Sequence, residues 1–144
     1  MSNDEGAAKI VITIDGFSDE VLLFSRKKAK GTPRHGQLEL LGGGMDGSSP
    51  LHGLIRELEE EEKSGALAQE VRRASPSPRL LTVDNVPHYI FEVRIPMSVY
   101  LDARHDKGES LGFLVVPKSR LGDPGMAGRF TRKTIGILQA LSLI

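Results

Sequence analysis

The sequence contains no cysteine among its 144 residues. Disulfides, thiolate zinc sites and cysteine nucleophiles are therefore excluded, and the absence fits a reducing compartment. It also lacks an excess of either charge. Lysine plus arginine number 19, as do aspartate plus glutamate, so the formal net charge is zero. The basic footprint of a nucleic-acid-binding domain is missing, and a long nucleic-acid substrate is not expected. No apolar run approaches the ~20 residues of a membrane-spanning helix. The opening MSNDEGAAK has neither the basic region nor the apolar core of a signal peptide. No membrane partner is expected, and a cytoplasmic location is. A domain of this length buries roughly 70% of the surface its unfolded chain exposes, so it needs no disulfide or structural metal to fold.

Residues Met1 to Ala8 read as a flexible tail, and 9–144 as a single domain. Lys9 to Ile14 (KIVITI) is β-rich and apolar, and Val21 to Phe24 (VLLF) is a second strand after the Asp15-Gly16 turn signal. Arg26 to Gly36 is a basic loop. Gln37 to Leu41 is a short strand entering three glycines, Gly42-Gly43-Gly44. Then comes the clearest helix. Ser48 or Ser49 can cap it, and Pro50 suits its first turn. Leu51, Leu54, Ile55 and Leu58 make one apolar stripe, and Ser64-Gly65 reads as the stop. Val71 to Pro78 reads as a loop, Arg79–Val83 and His88–Ile95 as strands, and Asp102–Ser110 as a charged loop. Leu111–Val116 is a further strand, Leu121–Gly128 a loop, and Phe130–Leu143 a closing helix. Several strands with two helices in one small domain predict an α+β fold.

The richest chemistry lies in Arg56 to Glu62, which reads RELEEEE. At about 100° per residue, Glu57, Glu60 and Glu61 share one arc of the helix, beside the leucine stripe. Three carboxylates on one face repel unless something positive sits among them. A hard divalent cation with oxygen ligands is the natural partner, and magnesium suits where substrate phosphates complete its shell. Glu59 and Glu62 read as ordinary solvated surface. Glycines ahead of the helix let a ligand approach the backbone closely. Strand, glycine cluster, serine-proline cap and acidic helix in one stretch weigh more than any of them alone.

This stretch resembles the Nudix (MutT-like) family, whose signature is G-x5-E-x7-R-E-U-x-E-E-x-G-U, with U bulky and aliphatic. The matching segment is GGGMDGSSPLHGLIRELEEEEKSGAL, Gly42 to Leu67. The R-E-U-x-E-E core falls on Arg56, Glu57, Leu58, Glu59, Glu60 and Glu61. LELLGG before it is similar to the family's W-E-L-P-G-G lead-in. Two positions depart. Ser48 stands at the first glutamate, whose family role is to pair with the arginine and brace the loop. Lys63 stands at the glycine, with Gly65 two residues later. VLLFSR, ESLGFLVVPKSRL and the final FTRKTIGILQAL also resemble family strands and the family's closing helix.

The resemblance implies a mixed β-sheet flanked by helices, an α/β/α sandwich. It also implies a Mg²⁺-dependent hydrolase, with Mn²⁺ as a second candidate metal, that cuts the diphosphate bond of a nucleotide derivative with water. Glu57, Glu60 and Glu61 are then the metal ligands. The general base falls on Glu109, before LGFLVV, or on Glu60 or Glu61. Arg26, Glu39, Gly42 and Gly43 are the candidate substrate contacts. His88 and His105 are each alone in the sequence and carry no assignment. The family's substrates range from nucleoside triphosphates to nucleotide sugars and capped RNA, and its members are often dimers. The apolar end LSLI reads as core or as a homodimer interface. Two rival readings stand beside this one: a catalytically weak or inactive Nudix fold that binds nucleotide or metal, and an unrelated module whose acidic helix meets a basic partner.

Overall fold

The computed structural model describes residues 6–144. Most of the expected tail, residues 1–5, lies outside the described residues. Strand β1 (Ala7–Ile14) begins two residues earlier than its apolar run. It is the hub of the sheet. It pairs in parallel with β6 (Val86–Ile95) and antiparallel with β2 (Val21–Lys27) and β4 (Leu41–Gly44). Strands β3 (Leu38–Glu39) and β7 (Ser110–Pro117) pair with β2, and β5 (Arg79–Val83) closes a hairpin on β6. That hairpin turns on Asp84-Asn85, both at positive φ, a two-residue turn whose twist matches its strands. The result is the expected mixed sheet flanked by helices.

Helices α1 (Pro50–Glu61) and α2 (Ala66–Ala74) come between β4 and β5, and α3 (Met97–Asp102) between β6 and β7. Leu54, Leu58, Leu67 and Val71 pack with Ile10, Ile12 and Phe91 in one cluster. Helix α4 (Arg132–Ala140) packs Ile137 and Leu138 into a second cluster with Phe24, Ile90 and Phe130. Alternation along β6 serves both, since Ile90 joins the α4 cluster and Phe91 the other. Leu141 and Leu143 of the LSLI end pack against the α4 cluster. Among the described residues no helix is long and apolar enough to cross a membrane.

Several expectations need correction. The strand expected over Gln37–Leu41 is two, Leu38–Glu39 and Leu41–Gly44, and the glycines that it was to enter form most of the second, paired with Ala7–Lys9. Val71–Ala74, expected as loop, is the end of α2. That helix is capped by Gly65, which has no side chain to signal it, and its N–H groups are served from elsewhere. The closing helix starts at Arg132 behind the Thr131 cap rather than at Phe130. Helix α3 follows Pro96 with only six residues, too few for a periodic pattern to be read.

Candidate active site

Helix α1 begins as read from the sequence. Ser49 is its N-cap, accepting from His52 N, and Pro50 follows. Ser48 has a different task. Arg56 reaches back from the helix and Nη1 donates to Ser48 Oγ (3.1 Å) and Met45 O (3.3 Å). Nη2 donates to Gly44 O (2.8 Å) and pairs with Asp46 (3.3 Å). Asp46, held at φ 50, therefore supplies the carboxylate that position 48 lacks, and the loop remains braced. The Lys63 departure is also absorbed. The chain leaves α1 at Glu62 in an extended conformation and reaches positive φ only at Gly65.

The three glutamates are not equivalent. Glu57 lies against Gly43 so closely that a Cβ there would overlap its Oε1. Burial raises its carboxyl above the ordinary range, and the charge and hydrogen bond of Glu60 raise it further, against Arg56 and Lys9. Glu61 accepts from Gly42 N (2.8 Å). Burial pushes its carboxyl up to about 8, although the Gly42 N–H and Lys9 pull the other way. Glu60 is the exposed member. Glu57 and Glu60 stand close enough for the charge of one to disfavour that of the other. A hard cation would cancel the charge that a proton cancels otherwise, and three glutamates are the oxygen donors it takes. The donor set fits such an ion. In the side-chain conformations seen, no three potential ligands converge on one point among the described residues.

Glu62 was read as solvated and is not. It is 1% exposed and accepts from Ser64 N (2.7 Å), Arg104 N (2.9 Å) and Leu67 N (3.2 Å). Burial raises its carboxyl, but the Arg104, Ser64 and Leu67 bonds outweigh that and hold it below the ordinary value. It is the missing cap of α2. Glu59 is exposed and pairs with Arg72, as surface residues do.

A cleft of about 740 Å³ opens beside Gly43 and Gly44. Lys9, Lys27, Arg34, Arg132 and Lys133 line it, against Glu39, Asp46 and Asp84. Such a volume suits a small ligand, and the excess of cations suits an anionic one. Lys9 ties cleft to helix: its Nζ donates to Gly42 O (3.3 Å) and Leu40 O (3.4 Å), and its charge acts on Glu57 and Glu61. Two sequence candidates, Glu39 and Gly43, do line this cleft. Arg26 does not. It is exposed, and Lys27, one residue along the strand, faces the cleft and pairs with Glu39 (3.6 Å). Gly42 is buried and spends its N–H on Glu61, with φ 121 and Ala8 O too close for any Cβ. Glu109 is exposed and does not line the cleft, but its loop is tied to the end of α1 by Asp106 N to Glu61 O (2.9 Å).

Sequence reading missed Lys9, Asp46, His88 and the start of α4. Lys9 looked like the first residue of a strand, and only the pairing of β1 with β4 brings it beside Gly42.

Solved structures give the fold a name. The Nudix hydrolase RenU of M. smegmatis superposes with a TM-score of 0.64 at 16% identity, over 96% of this chain and 84% of its own. The Nudix domain of Shewanella oneidensis NrtR, solved with ADP-ribose, superposes at 0.66 and 10% identity, over 99% and 88%. The fold is Nudix. A bifunctional NMN adenylyltransferase/ADP-ribose pyrophosphatase of Francisella tularensis, solved with AMP and a manganese ion, shares it at a TM-score of 0.59 and 14% identity, over 95% of this chain and 42% of the enzyme. No protein-family model and no curated protein matches the sequence. On this Nudix fold the R-E-L-E-E-E stretch forms the end of α1 beside the glycine strand, with Glu57 against Gly43 and Glu61 bonded to Gly42.

Proposed function

We propose that this chain is a divalent-metal-dependent hydrolase that cuts the diphosphate bond of a nucleotide derivative with water. One observation carries the reading. A cluster of glutamates with too little positive charge among them lies against β4, where Gly43 and Gly44 border a cleft that has more cations than carboxylates in its wall. Phosphoryl transfer needs that combination, because positioning and charge stabilisation do most of the catalysis.

Glu57, Glu60 and Glu61 would hold Mg²⁺ or Mn²⁺. The chemistry such an ion supplies is neutralisation of phosphate oxygens and a more acidic water. Arg56 keeps the Gly44–Ser48 loop in place through four hydrogen bonds to Gly44, Met45, Asp46 and Ser48. Gly43 leaves room for the Glu57 carboxylate. Lys9, Lys27 and Arg34 orient the anionic substrate. Glu109, or one of Glu60 and Glu61, takes the proton of the attacking water. A single domain over 9–144 and a cytoplasmic location, where nucleotide diphosphates are made and used, belong to the same reading.

A second reading draws on the lack of three converging ligands among the described residues: a Nudix fold that binds nucleotides and does not cleave them. Incubation with Mg²⁺ and a panel of nucleoside triphosphates, nucleotide sugars and dinucleoside polyphosphates, followed by chromatography, separates the two. Cleavage that needs Mg²⁺ and disappears in a Glu60→Gln, Glu61→Gln variant supports the hydrolase. Binding without turnover across the panel supports the second reading.

A further inference from the structure

His88 is the one buried histidine of the chain's described residues, at 1% exposure, and it lines the cleft. Its Nδ1 lies 2.9 Å from Val86 O. A carbonyl only accepts, so Nδ1 carries the proton and Nε2 is left as a bare acceptor. No group among the described residues bonds Nε2. Yet no buried side-chain nitrogen or oxygen there lacks a partner. Nε2 is therefore reachable, and the cleft is the space it faces. Such an acceptor on an otherwise buried side chain takes its hydrogen bond from whatever occupies the cleft.

Its position matters as much as its chemistry. Gly44 pairs with Ala7, and Ala7 pairs with His88 on the other side. Two strand spacings, roughly 10 Å, separate Gly44 from His88. On the diphosphate reading, a molecule held for cutting beside Gly43, against which Glu57 lies, reaches along the cleft to His88 with its other end. Around that end stand Lys133 and Arg132 in the first turn of α4, where cations oppose the helix dipole and are not there to stabilise the helix. Val86, Met45 and Ile137 supply apolar wall, and no aromatic ring lines the cleft among the described residues. Recognition there rests on hydrogen bonds and charge rather than on stacking.

We propose that His88 is a specificity-determining residue: Nε2 accepts a hydrogen bond from an O–H or N–H on the end of the substrate remote from the cut. This rests on the diphosphate reading of the cleft. Burial holds His88 below its ordinary value, and Lys133 and Lys9 add to that, so the ring stays the neutral acceptor. The required donor is a sugar hydroxyl or a base amine of a nucleoside diphosphate compound.

The test is calorimetric titration in metal-free buffer with ADP, 2′-deoxy-ADP, which lacks a hydroxyl, and IDP, which lacks the amine. Wild type, His88→Leu and His88→Gln are compared after melting curves establish that each is folded. One analogue should bind wild type about tenfold more weakly than ADP, the loss of one hydrogen bond to a buried acceptor. Weak 2′-deoxy-ADP assigns the donor to the sugar, and weak IDP to the base. His88→Leu should bind all three alike, and His88→Gln, which keeps an acceptor, should recover part of the preference. Equal binding of all three by wild type, a preference that survives in His88→Leu, or no binding of ADP overturns the assignment. The cleavage panel is independent. A chain that cleaves without this preference keeps its activity and loses the His88 assignment, and one with the preference but no turnover does the reverse.

Discussion

Replacing Glu62 with alanine should cost about 3 kcal/mol of stability, far more than any neighbouring glutamate. The side chain is 1% exposed and accepts three backbone N–H groups. Hydrogen bonds to a charged group contribute about 1.5–3 kcal/mol each. Ser64 and Arg104 are exposed residues, and water can take over much of their share. Leu67 is 1% exposed, in the first turn of α2, and water cannot reach its N–H. An orphaned buried donor costs about 1–3 kcal/mol and a lost helix cap about 1 kcal/mol. The Arg104 bond also fastens the 103–109 loop to the end of α1, so that loop loosens as well. For a chain of this size about 3 °C accompanies each kcal/mol, which gives a fall in Tm of roughly 10 °C. Circular dichroism melts at pH 7 on wild type, Glu62→Ala, Glu62→Gln and Glu59→Ala provide the assay. Glu62→Gln keeps one acceptor oxygen and should lose about half as much. Glu59→Ala removes only an exposed ion pair and should stay within about 2 °C. A Glu62→Ala melt as close to wild type as that of Glu59→Ala would refute the claim that this carboxylate caps α2.

Two further outcomes follow from the geometry. Gly43→Ala places a methyl group on the Glu57 carboxylate and should lower kcat about 100-fold on any diphosphate the chain cleaves, since a displacement near 1 Å has that effect. Gly44→Ala meets only Asp46 Oδ1 at 3.7 Å and should leave kcat within about twofold, which makes it the control. The contribution of His88 to stability should also fall as the pH drops below about 6.5, the ordinary histidine value, opposite in sign to that of Glu61, which is held up to about 8. His88 is held below that value in the fold, so the unfolded chain takes up its proton first. Between the two values the unfolded state binds more protons, and stability rises with pH. The Tm of wild type relative to His88→Gln should therefore fall from pH 8 to pH 5, with the Glu61 contribution common to both, and parallel curves would exclude His88 as the cause.

The sequence by itself determined the helix that carries the glutamates, its start at Ser48 or Ser49 before Pro50, and the main strands. Those features are written in local periodicity, and the apolar stripe of Leu51, Leu54, Ile55 and Leu58 needs no knowledge of the rest of the chain. The same stripe fixed which glutamates stand together on α1. Tertiary structure decided everything that depends on strand register. Lys9 meets Gly42, and His88 comes two strands from Gly44, only because β1 sits between β4 and β6. Lys27 rather than Arg26 faces the cleft because alternate residues of a strand face opposite ways. Tertiary structure also decided two substitutions of role. Asp46 takes the partner of Arg56 that Ser48 cannot supply, and Glu62, one more letter in a run of glutamates, becomes the cap of a helix with no cap of its own. A run of like residues has no pattern to tell its members apart. Burial does so, by removing water from Glu62 and Glu61 and leaving it to Glu59 and Glu60.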